Sequence, residues 1–385
     1  MSEARFAHWT ENELPRCALW RAENGAAPPK RWVIADDQTT ADSAYRLACE
    51  GTALLWRGDY QNGRQLLQAM ARRADTPPRK SKRAPPSTPA EAFHLHRQAQ
   101  AQRARSLSML VLQFDPGHVL DLRRAPDVAL ACEEAFGACS EPYLVSMREL
   151  LGVMGAHEWR KKGVTVPALT GRIHAHYGVF TPVRGEYIGL VAEAPLPSST
   201  LAFDIGTGTG VLSAVLAQRG VQRIVATDQD TRALACANEN LARLGCADRV
   251  QVLQVDLFPP GRAPLIVCNP PWVPARPTSP IEGAVYDPES RMLLGFLKGL
   301  AAHLEPAGEG WLVLSDLAEH LGLRSRDELL AAIDAAGLQV IGRLDVRPQH
   351  PKVQDETDPL HTARQAEVTS LWRLAAKPVA DLPLS

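Results

Sequence analysis

The chain has 385 residues, 45% of them hydrophobic, which is long enough for two domains and apolar enough to bury a proper core. Its 42 basic and 43 acidic residues leave a formal charge of -1, which excludes a protein that coats nucleic acid by bulk charge but leaves room for a local basic site. Seven scattered cysteines (Cys17, Cys49, Cys132, Cys139, Cys236, Cys246, Cys268) form no CxxC pair, so a reduced compartment is expected, with neither a disulfide frame nor a zinc or other metal site. The charged start "MSEARFAHWTENELPR" has no signal-like apolar stretch, and no run approaches the roughly 20 apolar residues of a membrane span. The expectation is a soluble cytoplasmic protein.

Residues 1–75 are read as an N-terminal helical region, because "TADSAYRLACEGTALLWRG" and "YQNGRQLLQAMARRA" repeat apolar positions at three and four. Residues 76–90 are read as a linker or exposed loop: "TPPRKSKRAPPSTP" has five prolines, four basic residues and almost nothing to bury. From Thr76 to Arg105, seven basic residues (Arg79, Lys80, Lys82, Arg83, Arg97, Arg103, Arg105) stand against one acid, Glu91. A contact with RNA and a solvated linker both use such a stretch. Residues 91–175 form the rest of the N-terminal region, with a helix near 90–105, a strand "SMLVLQF", and "SMRELLGVMGAHEWRKKG", which opens with Ser146 and Glu149 in capping-box spacing.

Residues 176–385 are predicted to form one further domain in which strands and helices alternate. Strands are expected at 201–206, 223–228, 250–256 and 264–269, and helices at 211–220 and 230–244. Asp287 should cap a helix that has Pro288 at its first position and stops at Pro306. "GWLVLSD" is a fifth strand, and Ser325 with Glu328 makes a capping box before "LLAAIDAAG". The finish, "LQVIGRLDV" and "EVTSLWRLA", reads as two strands joined by a polar loop without a helix. The fold class is α/β: a Rossmann-like, mostly parallel sheet with an antiparallel C-terminal hairpin, preceded by a mainly helical region.

Ligands of such sheets sit at the carboxyl ends of the strands, so the strand ends carry the chemistry. The first ends in "DIGTGTG" (204–210), whose Gly206, Gly208 and Gly210 let backbone approach a ligand ahead of a helix N-terminus. A dinucleotide fingerprint would want glycine at 211, where this chain has Val211. The second strand ends at Asp228, placed to accept from both hydroxyls of a ribose, and the third at Asp256, which accepts from an adenine amino group or caps the next turn. The fourth runs into Asn269, Pro270, Pro271 and Trp272, where two prolines end strand pairing and leave a stiff loop.

In this order "DIGTGTG", "ATD", "VDLF" and "IVCNPPW" resemble the class I S-adenosylmethionine-dependent methyltransferases, and more narrowly the HemK group of glutamine N5-methyltransferases, which modify release factors and ribosomal proteins. "HYGVFTPVRGEYIGLV" and "YDPESRMLLGFL" are similar to the family's flanking segments, so the resemblance covers roughly residues 177–375. It implies S-adenosylmethionine as cofactor, with Asp204, Gly206, Thr207, Gly208 and Gly210 around its methionine part, Asp228 on the ribose, Asp256 on the adenine and Asn269 beside the reacting methyl. It also implies a macromolecular partner, a translation protein or else RNA or DNA, since an NPP-aromatic loop serves base amino groups too. Trp272 stands where the glutamine enzymes usually have tyrosine, and the usual proline-glutamate-threonine-glutamate run is missing, with Glu186 near its final acid. The N-terminal half matches no named motif and is expected to be a substrate-docking module.

The loop also makes chemical sense by itself. An amide or aromatic amino nitrogen is a poor nucleophile because its lone pair is delocalised. Acceptors on its N–H groups, the Asn269 side-chain oxygen and the Pro270 carbonyl, would hold it in line with a sulfonium methyl, while Trp272 stacks on the planar group. In the following segment, 273–286, Arg276, Glu282 and Tyr286 are candidates for substrate contact or ordinary lid residues. A binding module that kept the fold without catalysis is the remaining alternative.

Overall fold

The computed structural model describes residues 5–76, 86–183, 185–277, 280–348, 355–356 and 358–378. The chain falls into two compact units, Met1–Pro86 with His94–Glu158, and Ser87–Phe93 with Trp159–Ser385. The boundary read at 176 falls inside the second unit. The stretch Arg79, Lys80, Lys82 and Arg83, on which RNA contact was considered, lies outside the described residues.

The first unit opens with a hairpin, β1 (Phe6–Glu11) and β2 (Leu14–Trp20). Its turn residues Asn12 and Glu13 have positive φ of 51° and 64°, which matches the twist of a two-residue hairpin. Then follow β3 (Arg31–Ala35), α1 (Ala41–Cys49), β4 (Thr52–Trp56), α2 (Tyr60–Ala74), α3 (Pro89–Leu107), β5 (Leu110–Phe114), α4 (Ala129–Phe136), β6 (Tyr143–Ser146) and α5 (Met147–Lys162). Helices hold more of these residues than strands do, yet the strands form a six-stranded sheet in the order β1-β2-β6-β5-β4-β3.

Most of that sheet was not read from the sequence. The first stretch taken as helical stays helical only to Cys49; Gly51, at φ 78°, ends it, and the rest becomes β4. All five β4 residues are buried, so the strand is an unbroken apolar run in which a period of two cannot show. At α5 half of the expected capping box forms. The Glu149 N–H donates to Ser146 Oγ at 3.1 Å, while the Glu149 carboxylate accepts from the Glu23 N–H instead. Arg103, one of the basic residues after the linker, donates to Asp75 at 2.6 and 3.1 Å.

The second unit begins with a short pair, β7 (Val164–Thr165) and β8 (Arg172–Ile173). It continues through α6 (Glu186–Glu193), β9 (Leu201–Ile205), α7 (Val211–Gln218), β10 (Arg223–Asp228), α8 (Thr231–Arg243), β11 (Val250–Gln254) and β12 (Ala263–Cys268). Next come α9 (Arg291–His303), β13 (Leu304–Ser315), α10 (Leu317–His320), α11 (Arg326–Ala335), β14 (Leu338–Val346), α12 (His361–Ala366) and β15 (Thr369–Ala376). The sheet order is β11-β10-β9-β12-β13-β15-β14, parallel through β13, with β15 antiparallel to both neighbours. This is the expected Rossmann-like architecture with its antiparallel C-terminal pair.

The central strands are buried on both faces. Ala202, Leu265 and Val267 join the apolar cluster that includes α6 and α7, whereas Phe203, Ile266 and Cys268 join the one that includes α9. Alternate residues thus feed two cores, and one-residue slips are costly on either side. The chain leaves β9 toward β10 on one side and later places β12 on the other, so a crevice opens between β9 and β12 at their carboxyl ends.

Three expectations shift. A 3₁₀ turn (Pro288–Ser290) precedes α9, so Asp287 caps the helix across that turn, accepting from the Met292 and Leu293 N–H groups. The helix ends at His303, and Leu304 through Pro306 already belong to β13. Between β14 and β15 the loop contains α12, a helix the polar sequence did not announce. Among the described residues no helix is long and apolar enough to cross a membrane.

Candidate active site

The crevice holds a cavity of about 290 Å³ formed where the strand ends meet. Gly206, Thr207 and Gly208 come from the loop after β9, Asp228 and Gln229 from the end of β10, and Asn269 with Pro271 from the segment after β12. These residues lie up to 65 positions apart, from Gly206 to Pro271, and the parallel sheet alone brings them together.

The glycine loop is built by its own hydrogen bonds. Gly206 and Thr207 both donate through their N–H groups to the Thr227 carbonyl at 2.9 Å, tying the loop across to β10. Gly206, Gly208 and Gly210 all have positive φ, of 72°, 54° and 78°. At Gly208 nothing lies within 4 Å of where a Cβ would stand, so the backbone faces open space there. At Gly210 a Cβ would meet the Ala237 Cα at 3.2 Å, so this glycine serves the approach of α8 to the start of α7.

Asp204 and Gly210 do not line the cavity. Asp204 is buried and gives one oxygen to three donors: Thr207 Oγ1 at 2.7 Å, Ser213 Oγ at 2.6 Å and the Ser213 N–H at 3.1 Å. It braces the loop from behind. Burial raises its carboxyl above the ordinary range, and the Ser213 and Thr207 bonds oppose that rise.

Asp228 faces the cavity. Its two oxygens accept from the Gly208 N–H and the Asp230 N–H, both at 3.0 Å, which fixes the carboxylate and leaves acceptor capacity toward the cavity. Burial raises this group too, against those backbone bonds. Asp256 stands outside the lining, half exposed, accepting from Arg291 Nη2 at 2.7 Å and Gln229 Nε2 at 2.5 Å. Through Gln229 it borders the cavity indirectly.

Asn269 is the first residue after β12 and lines the cavity. Its Oδ1 accepts from the Trp272 indole N–H at 2.8 Å. Pro270 is buried and Trp272 partly so; the indole packs against three apolar clusters and is absent from the cavity wall. The chain then returns past the site, with a bridge from Val273 to Tyr286, and sets Gly283 and Ala284 in the cavity lining. Tyr286 faces Phe93 instead, with ring centroids 6.4 Å apart.

Several lining residues were not singled out from the sequence. Gly178, Phe180 and Tyr187 come from the segment ahead of β9, and Met292 from α9. Asn240 on α8 is fully buried and donates to the Thr209 and His174 carbonyls, joining that upstream segment to the glycine loop. The quoted segment "HYGVFTPVRGEYIGLV" carried the signal for Tyr187; an asparagine within an amphipathic helix carries none. Among the described residues no group of His, Cys, Asp or Glu side chains is arranged to hold a metal ion.

The family model described as the methyltransferase small domain matches residues 172–326. A release factor glutamine methyltransferase of Cereibacter sphaeroides is 31% identical over 179 residues, covering 43% of this chain and 61% of that protein. Another, from Caulobacter vibrioides, is 32% identical over 252 residues, covering 59% of this chain and 87% of that protein. A tRNA1(Val) (adenine(37)-N6)-methyltransferase of Vibrio parahaemolyticus is 40% identical over 99 residues, 25% of this chain and 41% of that protein. The chain thus spans about three fifths of the first of these relatives. Taken with the glycine loop, the strand-end carboxylate Asp228 and Asn269 around one crevice, these matches show that the chain belongs to the HemK-like group of class I S-adenosylmethionine-dependent methyltransferases.

Proposed function

We propose that the chain transfers a methyl group from S-adenosylmethionine to an amide or amino nitrogen, first of all a glutamine side chain of a release factor or ribosomal protein. The observation that carries this reading is the position of Asn269 in the wall of the same cavity as Gly206, Gly208 and Asp228. The donor set fits the cofactor: open backbone at Gly208, a fixed carboxylate at Asp228 for ribose hydroxyls, and an apolar wall from Val179, Phe180, Leu257 and Met292. When bound, it supplies a methyl group on a sulfonium sulfur, which leaves as a neutral thioether.

The protein's part is position and pre-set dipoles. Pro270, buried and outside the cavity lining, is given no contact. Asn269 Oδ1 would accept one N–H of the substrate nitrogen. That turns its lone pair toward the methyl and favours loss of planarity as the N–C bond forms. The methylated nitrogen, now strongly acidic, would lose a proton to solvent. No strong base is required. Such alignment is worth up to roughly 7–11 kcal/mol of the barrier.

A second reading, a base amino group of RNA, is favoured by the match to the tRNA adenine-N6 enzyme, whose substrate nitrogen is equally delocalised. Labelled methyl transfer into extract from cells lacking this protein separates the two. Label released by protease supports the glutamine reading, label released by nuclease supports the base, and label in neither removes methyl transfer as the function.

A further inference from the structure

An asparagine that accepts a substrate N–H must present its oxygen, because the flipped amide would offer two donors to another donor. The indole N–H of Trp272 donates only, so its 2.8 Å bond fixes Oδ1 of Asn269 on the Trp272 side. That bond uses one lone pair of Oδ1 and leaves the other for a substrate. Trp272 is itself held by packing against three apolar clusters, and its ring meets Tyr187 edge-on, with centroids 6.3 Å apart and planes at 88°.

Tyr187 sits in the first turn of α6, 4% exposed, and lines the same cavity as Asn269. Burial raises its hydroxyl far above the ordinary range, and the Asn269 side chain opposes the rise. The amide is therefore held by the Trp272 N–H, Tyr187 lines the same cavity, and the two rings meet edge to face. Tertiary packing sets the amide's orientation before any substrate arrives.

We propose that Tyr187 and Trp272 are positioning residues for methyl transfer: together they clamp the Asn269 amide so that one lone pair of Oδ1 points at the substrate nitrogen. This rests on the methyl-transfer reading above and adds two residues to it. It also gives the tryptophan at 272 a use that a phenolic ring fills less strictly, since a hydroxyl can donate or accept whereas an indole N–H only donates.

Tyr187→Phe keeps the ring and removes the hydroxyl; Trp272→Phe keeps an aromatic ring, though a smaller one, and removes the indole N–H. The test measures single-turnover transfer of labelled methyl into the accepting extract fraction, alongside the Kd for S-adenosylhomocysteine. Each variant is expected to slow transfer at least about tenfold while the Kd moves less than about threefold. The double variant should lose much less than the product of the two, because both act through one amide. Transfer within twofold of wild type in both single variants, with Asn269→Ala inactive, overturns the clamp and leaves the methyl-transfer reading standing. Loss of transfer and affinity in parallel overturns it as well, in favour of a merely structural role. A wild-type protein that labels neither fraction removes both.

Discussion

Asn269 and Asp228 line one cavity, and the proposed function gives them separable work. In that proposal Asp228, fixed by the Gly208 and Asp230 amides, would present acceptors to the ribose hydroxyls. Hydrogen bonds to a charged group contribute about 1.5–3 kcal/mol, so Asp228→Ala is expected to weaken S-adenosylhomocysteine binding on the order of 10- to 100-fold in calorimetric titration. Unchanged affinity would remove Asp228 from the cofactor site. Gly210 has a different task, since its φ of 78° and the Ala237 Cα at 3.2 Å both refuse a side chain. Gly210→Ala should cost at least about 1–2 kcal/mol in denaturant unfolding from the left-handed backbone alone.

The second unit's elements were largely legible because their signals are local: an apolar run, a cap, a glycine stop. The Ser325 and Glu328 box forms in full, with both reciprocal bonds present. Ser325→Ala should therefore cost about 1 kcal/mol, measurable as a lowered denaturation midpoint with unchanged slope. Where the reading failed, tertiary context decided. β4 is buried on both faces and has no period of its own, and Glu149 completes no capping box because the Glu23 amide takes its carboxylate. The site followed the same division. Gly206, Gly208, Asp228 and Asn269 are strand-end residues and could be found from spacing, whereas Tyr187 and the orientation of the Trp272 indole depend on how α6 meets the loop after β12.

Across the whole molecule several carboxyls sit above their ordinary range: Asp204, Asp228, Asp287 and Glu149, each chiefly through burial. Glu149 is pushed up to about 7 from 4.5. The folded form therefore holds these protons more tightly than the unfolded chain does, and their stabilising contribution is present at low pH and lost as pH rises through the folded values. The carboxyl of Glu11 works in the opposite direction: hydrogen bonds from Arg57 hold it below its usual 4.5, so its contribution is lost only in more acidic solution. The thermal midpoint should rise as pH falls from about 8 to about 6. In Glu149→Gln that rise should shrink, and the variant should be more stable than wild type at pH 8 by at most about 3 kcal/mol. An identical pH slope in the variant would show that Glu149 is not buried in the way described.

In the proposed function Asn269 aligns the accepting nitrogen and does not hold the cofactor, and Asn269→Ala tests both halves at once. The measurement pairs the Kd for S-adenosylhomocysteine with the single-turnover rate of methyl transfer. The expected result is an affinity within about threefold of wild type and a transfer rate lowered at least about a hundredfold, the scale of removing one pre-set group that acts in the transition state. Transfer at the wild-type rate, or a loss of affinity as large as the loss of rate, would contradict it.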